Sequence, residues 1–188
     1  PQYFYPEIKD FTNFQMKAIS EDFEEKRKKG ENDSELSELI RNDRIEEFII
    51  YVNKNDYSLK STIEHSIFET NLLLFKKNPS LIEYSAFFGS IQIFKYLYLN
   101  KVQLTTTLWI YGIHGNHPEI IHILEENKIL PPNENYTKCL LESIKCFHIS
   151  TANYIQNNYI NSTKEFSKLQ EKVFSESFKY SNYFFIPE

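Results

Sequence analysis

Between Ser34 and Asn158 apolar residues return every three or four positions in short runs, and each run stops at a few polar residues, a glycine or a proline. That spacing predicts short helices joined in pairs rather than strands or a few long helices. Leu36, Leu39 and Ile40 would line a helix over Ser34–Arg41, with Asp33 or Ser34 as its N-cap. Asn42-Asp43 would turn the chain, and Ile45, Phe48, Ile49 and Val52 would line the returning helix over Arg44–Asn53. A second pair is expected over Ser80–Leu97. There Ile82, Ser85 and Ala86 form the packed side of the first helix, Gly89 supplies the left-handed residue that ends it, and Ile91, Phe94 and Leu97 are buried on the second. A third pair starts at Thr106, turns at Gly115-Asn116 and continues from Pro118 through Ile120, Ile121, Ile123 and Leu124. A fourth covers Thr137–Lys145 and Ser150–Asn158, with Leu140, Leu141, Ile144, Ala152, Tyr154 and Ile155 facing inward.

The flanks are built differently. Ile8, Phe11, Phe14, Ala18 and Phe23 predict one amphipathic helix over Pro6–Lys29, whose acidic residues precede its basic ones as the helix dipole favours. The run Lys26 to Lys29 reads as its solvated C-terminus, closed by Gly30. Ser61–Lys77 is less regular, with room for a helix or a degenerate pair before Asn78-Pro79, and Pro79 is expected at the start of the next helix. A last helix is expected over Thr163–Lys179. Comparable starts at Ser80, Thr106 and Thr137 lie 26 and 31 residues apart, the range of helix-pair solenoids. The expected fold is all-α: an N-terminal cap over residues 1–33, helix-pair repeats over 34–162, and a C-terminal helix with an aromatic tail over 163–188, forming one structural unit.

Composition narrows the function. The 188 residues carry a formal net charge of −5, which argues against a binder of nucleic acid or anionic membranes. The apolar runs are far shorter than the roughly 18 residues of a membrane span. Two cysteines, Cys139 and Cys146, make no disulfide framework and fit a reducing, cytoplasmic setting. A chain of this length can build a stable core and needs no cofactor to hold it together, so none is expected; only 4 glycines leave little scope for phosphate-cradling loops or tight hairpins, which makes helices the default.

The paired pattern resembles ankyrin repeats. Ser80-Leu81-Ile82-Glu83-Tyr84-Ser85-Ala86 followed by Gly89, Ile93-Phe94 and Tyr96-Leu97 is similar to the ankyrin unit, as is Thr106-Thr107-Leu108-Trp109 followed by Gly115-Asn116 and His117-Pro118-Glu119-Ile120-Ile121-His122-Ile123-Leu124. Together with Ile40-Arg41-Asn42-Asp43, these segments resemble a divergent ankyrin-type domain of unknown function common in trichomonads and other protists. The resemblance spans roughly Ser34–Ile160, and no unit carries the full Thr-Pro-Leu-His tetrapeptide. It implies turns built on Asn42, Gly89, Gly115, Asn116 and His117, the histidine hydrogen-bonding across its turn. It also implies a non-catalytic scaffold that binds a partner protein through loop tips and inner helices, namely Lys101, Gln103, Thr105, Asn133, Glu134, Tyr136 and Phe87.

Residues with chemical potential were weighed against that scaffold. His114, His117 and His122, with Cys139, Cys146 and His148, are the best metal-ligand types present. Their spacing does not support a site: the cysteines are not spaced as a zinc knuckle, and His117 and His122 diverge on a helix. Cys146 and His148 likewise point apart, which leaves buried thiols as the expectation. No nucleophile elbow, P-loop, zinc-protease or dinucleotide signature occurs, and Glu24-Glu25, Glu46-Glu47 and Glu125-Glu126 read as solvated helix faces. The sequence therefore predicts no enzyme; a metal-dependent or thiol enzyme on a repeat scaffold, and a helical cap of a longer ankyrin protein, are the competing expectations. Trp109 and Tyr84, Tyr96, Tyr98, Tyr111, Tyr136 and Tyr159 are expected mostly in the core. The tail from Tyr180 to Pro187 is aromatic enough to dock back or to support self-association.

Overall fold

Capping side chains and left-handed turn residues divide the chain into short helices. The computed structural model describes residues 22–160 and 166–185. Its helices are α1 Phe23–Lys29, α2 Glu35–Arg41, α3 Ile45–Lys54, α4 Leu72–Lys76, α5 Leu81–Phe88, α6 Ile91–Leu99, α7 Leu108–Gly115, α8 Pro118–Glu126, α9 Tyr136–Lys145, α10 Ile149–Ile155 and α11 Phe166–Lys179. Among the described residues there is no strand, only one antiparallel bridge between Thr62 and Ser80. The expected first helix is represented by α1, and its residues 6–21 lie outside the described residues, as do 163–165 at the start of the expected last helix and 186–188 of the tail. No helix among the described residues is long and apolar enough to cross a membrane.

Four helix pairs form where the polar breaks put them: α2–α3, α5–α6, α7–α8 and α9–α10. Ser34 caps α2 by accepting from the Ser37 amide. Ser80 and Glu83 close a reciprocal capping box on α5, so Pro79 lies just before that helix rather than at its first turn. Each pair turns through one left-handed residue: Asp43 (φ 50°), Gly89 (φ 67°), Asn116 (φ 47°) and Phe147 (φ 61°). Asn42 and Asp43 make the first turn together: Asn42 is the right-handed cap, its side-chain amide donating to the Glu38 carbonyl at 3.0 Å, and Asp43 is the left-handed residue. Gly115 is still helical, and the reversal falls one residue later on Asn116.

Neighbouring pairs meet helix by helix. The first helices touch in chain order, α2 with α5, α5 with α7, and α7 with α9, while α11 covers α9; among the second helices α3 touches α6, and α6 touches α8. One core runs through all of them, and Ile40, Phe48, Leu81, Phe94, Leu97, Leu108, Trp109, Ile113, Ile120, Leu124, Leu140 and Ile155 are fully buried in it. Of the aromatic residues expected inside, Trp109, Tyr84 and Tyr111 are buried, and Tyr96, Tyr98, Tyr136 and Tyr159 are half-buried against the core. The Trp109 indole N–H donates to the Ile129 carbonyl at 2.6 Å, so its burial leaves no polar atom unmatched.

The turns also bond to one another. The Asp43 carboxylate accepts from the Gln92 and Ile93 amides of α6, at 3.0 Å each, and the Ser90 hydroxyl donates to the Ile40 carbonyl at 2.5 Å. One pair further on, Gly89 and Gly115 face each other so closely that a Cβ on Gly115 would sit 2.1 Å from the Ala86 carbonyl oxygen. At the last junction His148 Nε2 donates to the His114 carbonyl at 3.2 Å, and Thr151 donates to the Asn116 side-chain oxygen at 3.0 Å.

Ser61–Lys77 does not make a degenerate pair. It is an irregular run followed by the five-residue α4, because its extended backbone is committed elsewhere: the Ile63 amide donates to the Pro79 carbonyl at 2.7 Å, and the Leu81 amide to the Ser61 carbonyl at 3.2 Å. The end of the fourth pair also departs from expectation, since α10 stops at Ile155 and passes into a π-helical turn over Gln156–Ile160.

The glycine contact is directly testable. Gly89→Ala and Gly115→Ala should each cost about 1–3 kcal/mol, through overpacking at both sites and the positive φ at Gly89. In urea unfolding the double variant should fall short of the sum, because both changes wedge the same two helices apart. Additive or neutral effects would place the helix contact elsewhere.

Candidate functional site

Two faces carry side chains beyond what the core needs. The first is the loop side, opposite the turns just described. Here α3, α6 and α8 end alike: Asn55, Asn100 and Asn127 bond their side-chain amides back to the Tyr51, Tyr96 and Ile123 carbonyls at 2.8 Å each. The next residues, Asp56, Lys101 and Lys128, are left-handed. The amides of Tyr57, Val102 and Ile129 then reach the Val52, Leu97 and Leu124 carbonyls at 2.8, 3.1 and 2.9 Å, which completes the Schellman geometry. The loops leave rigidly, so the side chains at their tips are held out in defined positions.

Lys101, Gln103 and Thr105 are exposed on the loop after α6. Lys101 and Gln103 line an open groove together with Tyr98, Leu99, Leu104 and Ile129, and Leu99 is 72% exposed at its edge. Asn133 and Glu134 are exposed on the following loop, in a short 3-10 turn with both backbones left-handed. Tyr136 and Phe87 sit otherwise than a loop tip or an open inner face requires. The Tyr136 ring stacks on Tyr159 at 4.1 Å and meets Trp109 edge-on, and Phe87 stacks on the His114 ring at 4.7 Å. His117 caps α8 without a side-chain hydrogen bond, and its Nδ1 is buried with no partner among the described residues, so the expected bond across the turn is not made there.

The second face is on the turn side, where the last turn of α7 lies on the last turn of α9. His114 Nε2 is 2.7 Å from Glu142 Oε1, and Lys145 Nζ is 2.9 Å from the same oxygen. Cys146 Sγ is 3.5 Å from His114 Nδ1 and 3.9 Å from Nε2. Burial by itself would raise the Glu142 pKa, but the hydrogen bonds from His114 and Lys145 outweigh it and hold the carboxyl at about 2. An ionised Glu142 only accepts, so His114 donates to it from Nε2, while Nδ1 faces the Cys146 thiol. Burial, reinforced by the Glu142 charge, pushes that thiol up to about 11, and burial pushes Cys139 up to about 12. One imidazole, one carboxylate and one thiol thus offer ligand atoms within 4.8 Å of one another, all partly sheltered from solvent.

Glu125 was expected on a solvated face, yet it accepts from the hydroxyls of Tyr154 at 2.8 Å and Tyr159 at 2.5 Å, and so ties α8 to the end of the fourth pair. Comparison of the chain with protein-family models, curated proteins and solved structures returned no match. The grouping of His114, Glu142 and Cys146 was not visible in the sequence, because its members lie 28 and 32 residues apart and meet only through helix packing. The one local signal was Glu142 and Cys146 at i and i+4, which share a helix face.

Two measurements follow. The Glu142 pKa is depressed on folding, so the stability it contributes is present above the unfolded value near 4.5 and is lost as pH falls toward about 2. Glu142→Gln should lose about 2–3 kcal/mol at neutral pH and flatten the acid side of the urea stability profile between those values. Native-state alkylation at neutral pH should modify Cys146 at least about tenfold more slowly than an unperturbed thiol, with Cys139 slower still; fast labelling of Cys146 would contradict the buried, protonated thiol.

Proposed function

We propose that the chain is a non-catalytic interaction scaffold, a solenoid of divergent ankyrin-like helix pairs that binds a partner protein through its inter-pair loops and the groove beside them. The observation that carries this proposal is the loop side: three helix ends with the same asparagine-and-Schellman closure present Lys101, Gln103 and their neighbours beside an exposed apolar rim at Leu99. Rigid loops lose little conformational freedom on binding, and an apolar centre with polar tips is how protein interfaces are composed. The order of contacts along the first helices and along the second helices supports a solenoid, since in such a stack each unit touches its neighbours. The free, sheltered cysteines suit an intracellular setting. The net charge of −5 favours a partner protein over nucleic acid or an anionic membrane.

Lysine-directed crosslinking in source lysate followed by mass spectrometry should recover a protein joined at Lys101 or Lys128. The combined variant Lys101→Ala, Gln103→Ala, Leu99→Ser should lose that partner by at least tenfold while its helical circular dichroism and unfolding midpoint stay unchanged. Retention of the partner by the folded variant would move the binding surface off the loop side.

A further inference from the structure

The turn-side cluster can do more than brace α7 against α9. We infer that His114, Glu142 and Cys146 form a binding site for a divalent transition-metal ion of the zinc type, with three protein donors and one position left open. The three donor atoms are of the kinds zinc accepts, and all lie within 4.8 Å of one another. Two ligand atoms on a tetrahedral zinc stand about 3.3–3.6 Å apart, as the usual Zn–N, Zn–O and Zn–S lengths require. His114 Nε2 is 2.7 Å from Glu142 Oε1 and 3.9 Å from Cys146 Sγ, one separation a little short and the other a little long. A movement of about half an ångström in each brings these two into range, and the Glu142 and Cys146 donors, within 4.8 Å of each other, must close by at most about 1.2 Å.

The charges balance as well. A thiolate and a carboxylate neutralise the two charges of the ion, and the imidazole binds neutral. As the ion takes its place, the proton on Nε2 and the Cys146 thiol proton are displaced to solvent. Binding therefore releases protons, and no oxidation state changes.

The surroundings hold the donors in place. Phe87 stacks on the His114 ring with 22° between the planes, which fixes the imidazole orientation while Nε2 at its edge faces Glu142. His148 Nε2 ties down the His114 backbone by bonding its carbonyl. The His114 and Glu142 side chains are only 14% and 22% exposed, so a bound ion would be sheltered from competing water. Lys145 is the one group that must yield; its side chain is 42% exposed and can turn to solvent when the ion takes Glu142 Oε1. This inference is independent of the loop-side interaction proposal, because the two rest on different faces and different residues.

Cobalt(II) titration of the purified full chain, prepared metal-free and reduced, tests it. The expected result is saturation at one equivalent with a thiolate-to-cobalt charge-transfer band, displaced stoichiometrically by zinc. Cys146→Ser should abolish the band, His114→Ala and Glu142→Gln should weaken binding by at least about tenfold, and Cys139→Ser should leave it intact. Excess zinc should raise the unfolding midpoint of the wild type and not that of Cys146→Ser. Absence of the band in the wild-type protein, or its survival in Cys146→Ser, would overturn the site.

Discussion

The close approach of Gly89 to Gly115 sets the spacing on which the rest of the stack depends. With a Cβ on Gly115 falling 2.1 Å from the Ala86 carbonyl and one on Gly89 falling 2.7 Å from the Gly115 carbonyl, α5 and α7 meet backbone to backbone at their C-terminal ends. That contact lets the small side chains Ser85 and Ala86 disappear completely into the core. It also places the turn after α7 directly beyond the turn after α5. Each junction on either side then has only to continue the line, through Asp43 and Ser90 in one direction and through His114, His148 and Thr151 in the other.

The helix pairs were legible because their signals are local. Asn42-Asp43, Gly89, Asn116 and Pro118 act within a few residues of themselves, and the apolar period between them is the period of a helix. Within the pairs Asn42-Asp43 and Gly115-Asn116 the second residue is the left-handed one, a choice between two turn-tolerant neighbours that the local pattern leaves open. Ser61–Lys77 was illegible for the opposite reason. Its conformation is decided by Ile63 bonding Pro79 and Leu81 bonding Ser61 across an intervening loop, contacts that leave no periodic trace.

Long-range meetings account for the rest of what the sequence concealed. Glu125-Glu126 looks like an ordinary solvated pair, yet Glu125 is drawn in by two tyrosines of the fourth pair, while the His122 and Glu126 side chains remain about two-thirds exposed on the outer face. Spacing between histidines and cysteines along the chain holds no sign of this site, because His114 finds its partners on the next pair, one helix away in space and about thirty residues away in sequence. Where helix pairs pack side by side, residues that act together can come from neighbouring pairs, so spacing within one pair misses them.

The two faces that result have different physical characters. On the turn side, neighbouring units are joined by direct hydrogen bonds, a backbone contact between glycines and a sheltered cluster of charge, so any ligand held there acts on the junction between units. On the loop side, neighbouring tips meet mainly through the Tyr98 hydroxyl on the Asn127 side chain and through Trp109 on the Ile129 carbonyl, which leaves polar tips and the Leu99 rim facing outward. A bound ion joining His114 to Glu142 and Cys146 would stiffen the angle between the third and fourth pairs without touching a single loop-tip side chain. The exposed tips at Lys101 and Lys128 belong to the second and third pairs, so such an ion would reach loop-side recognition only as far as the junction between α7 and α9 moves the loop that leaves α8.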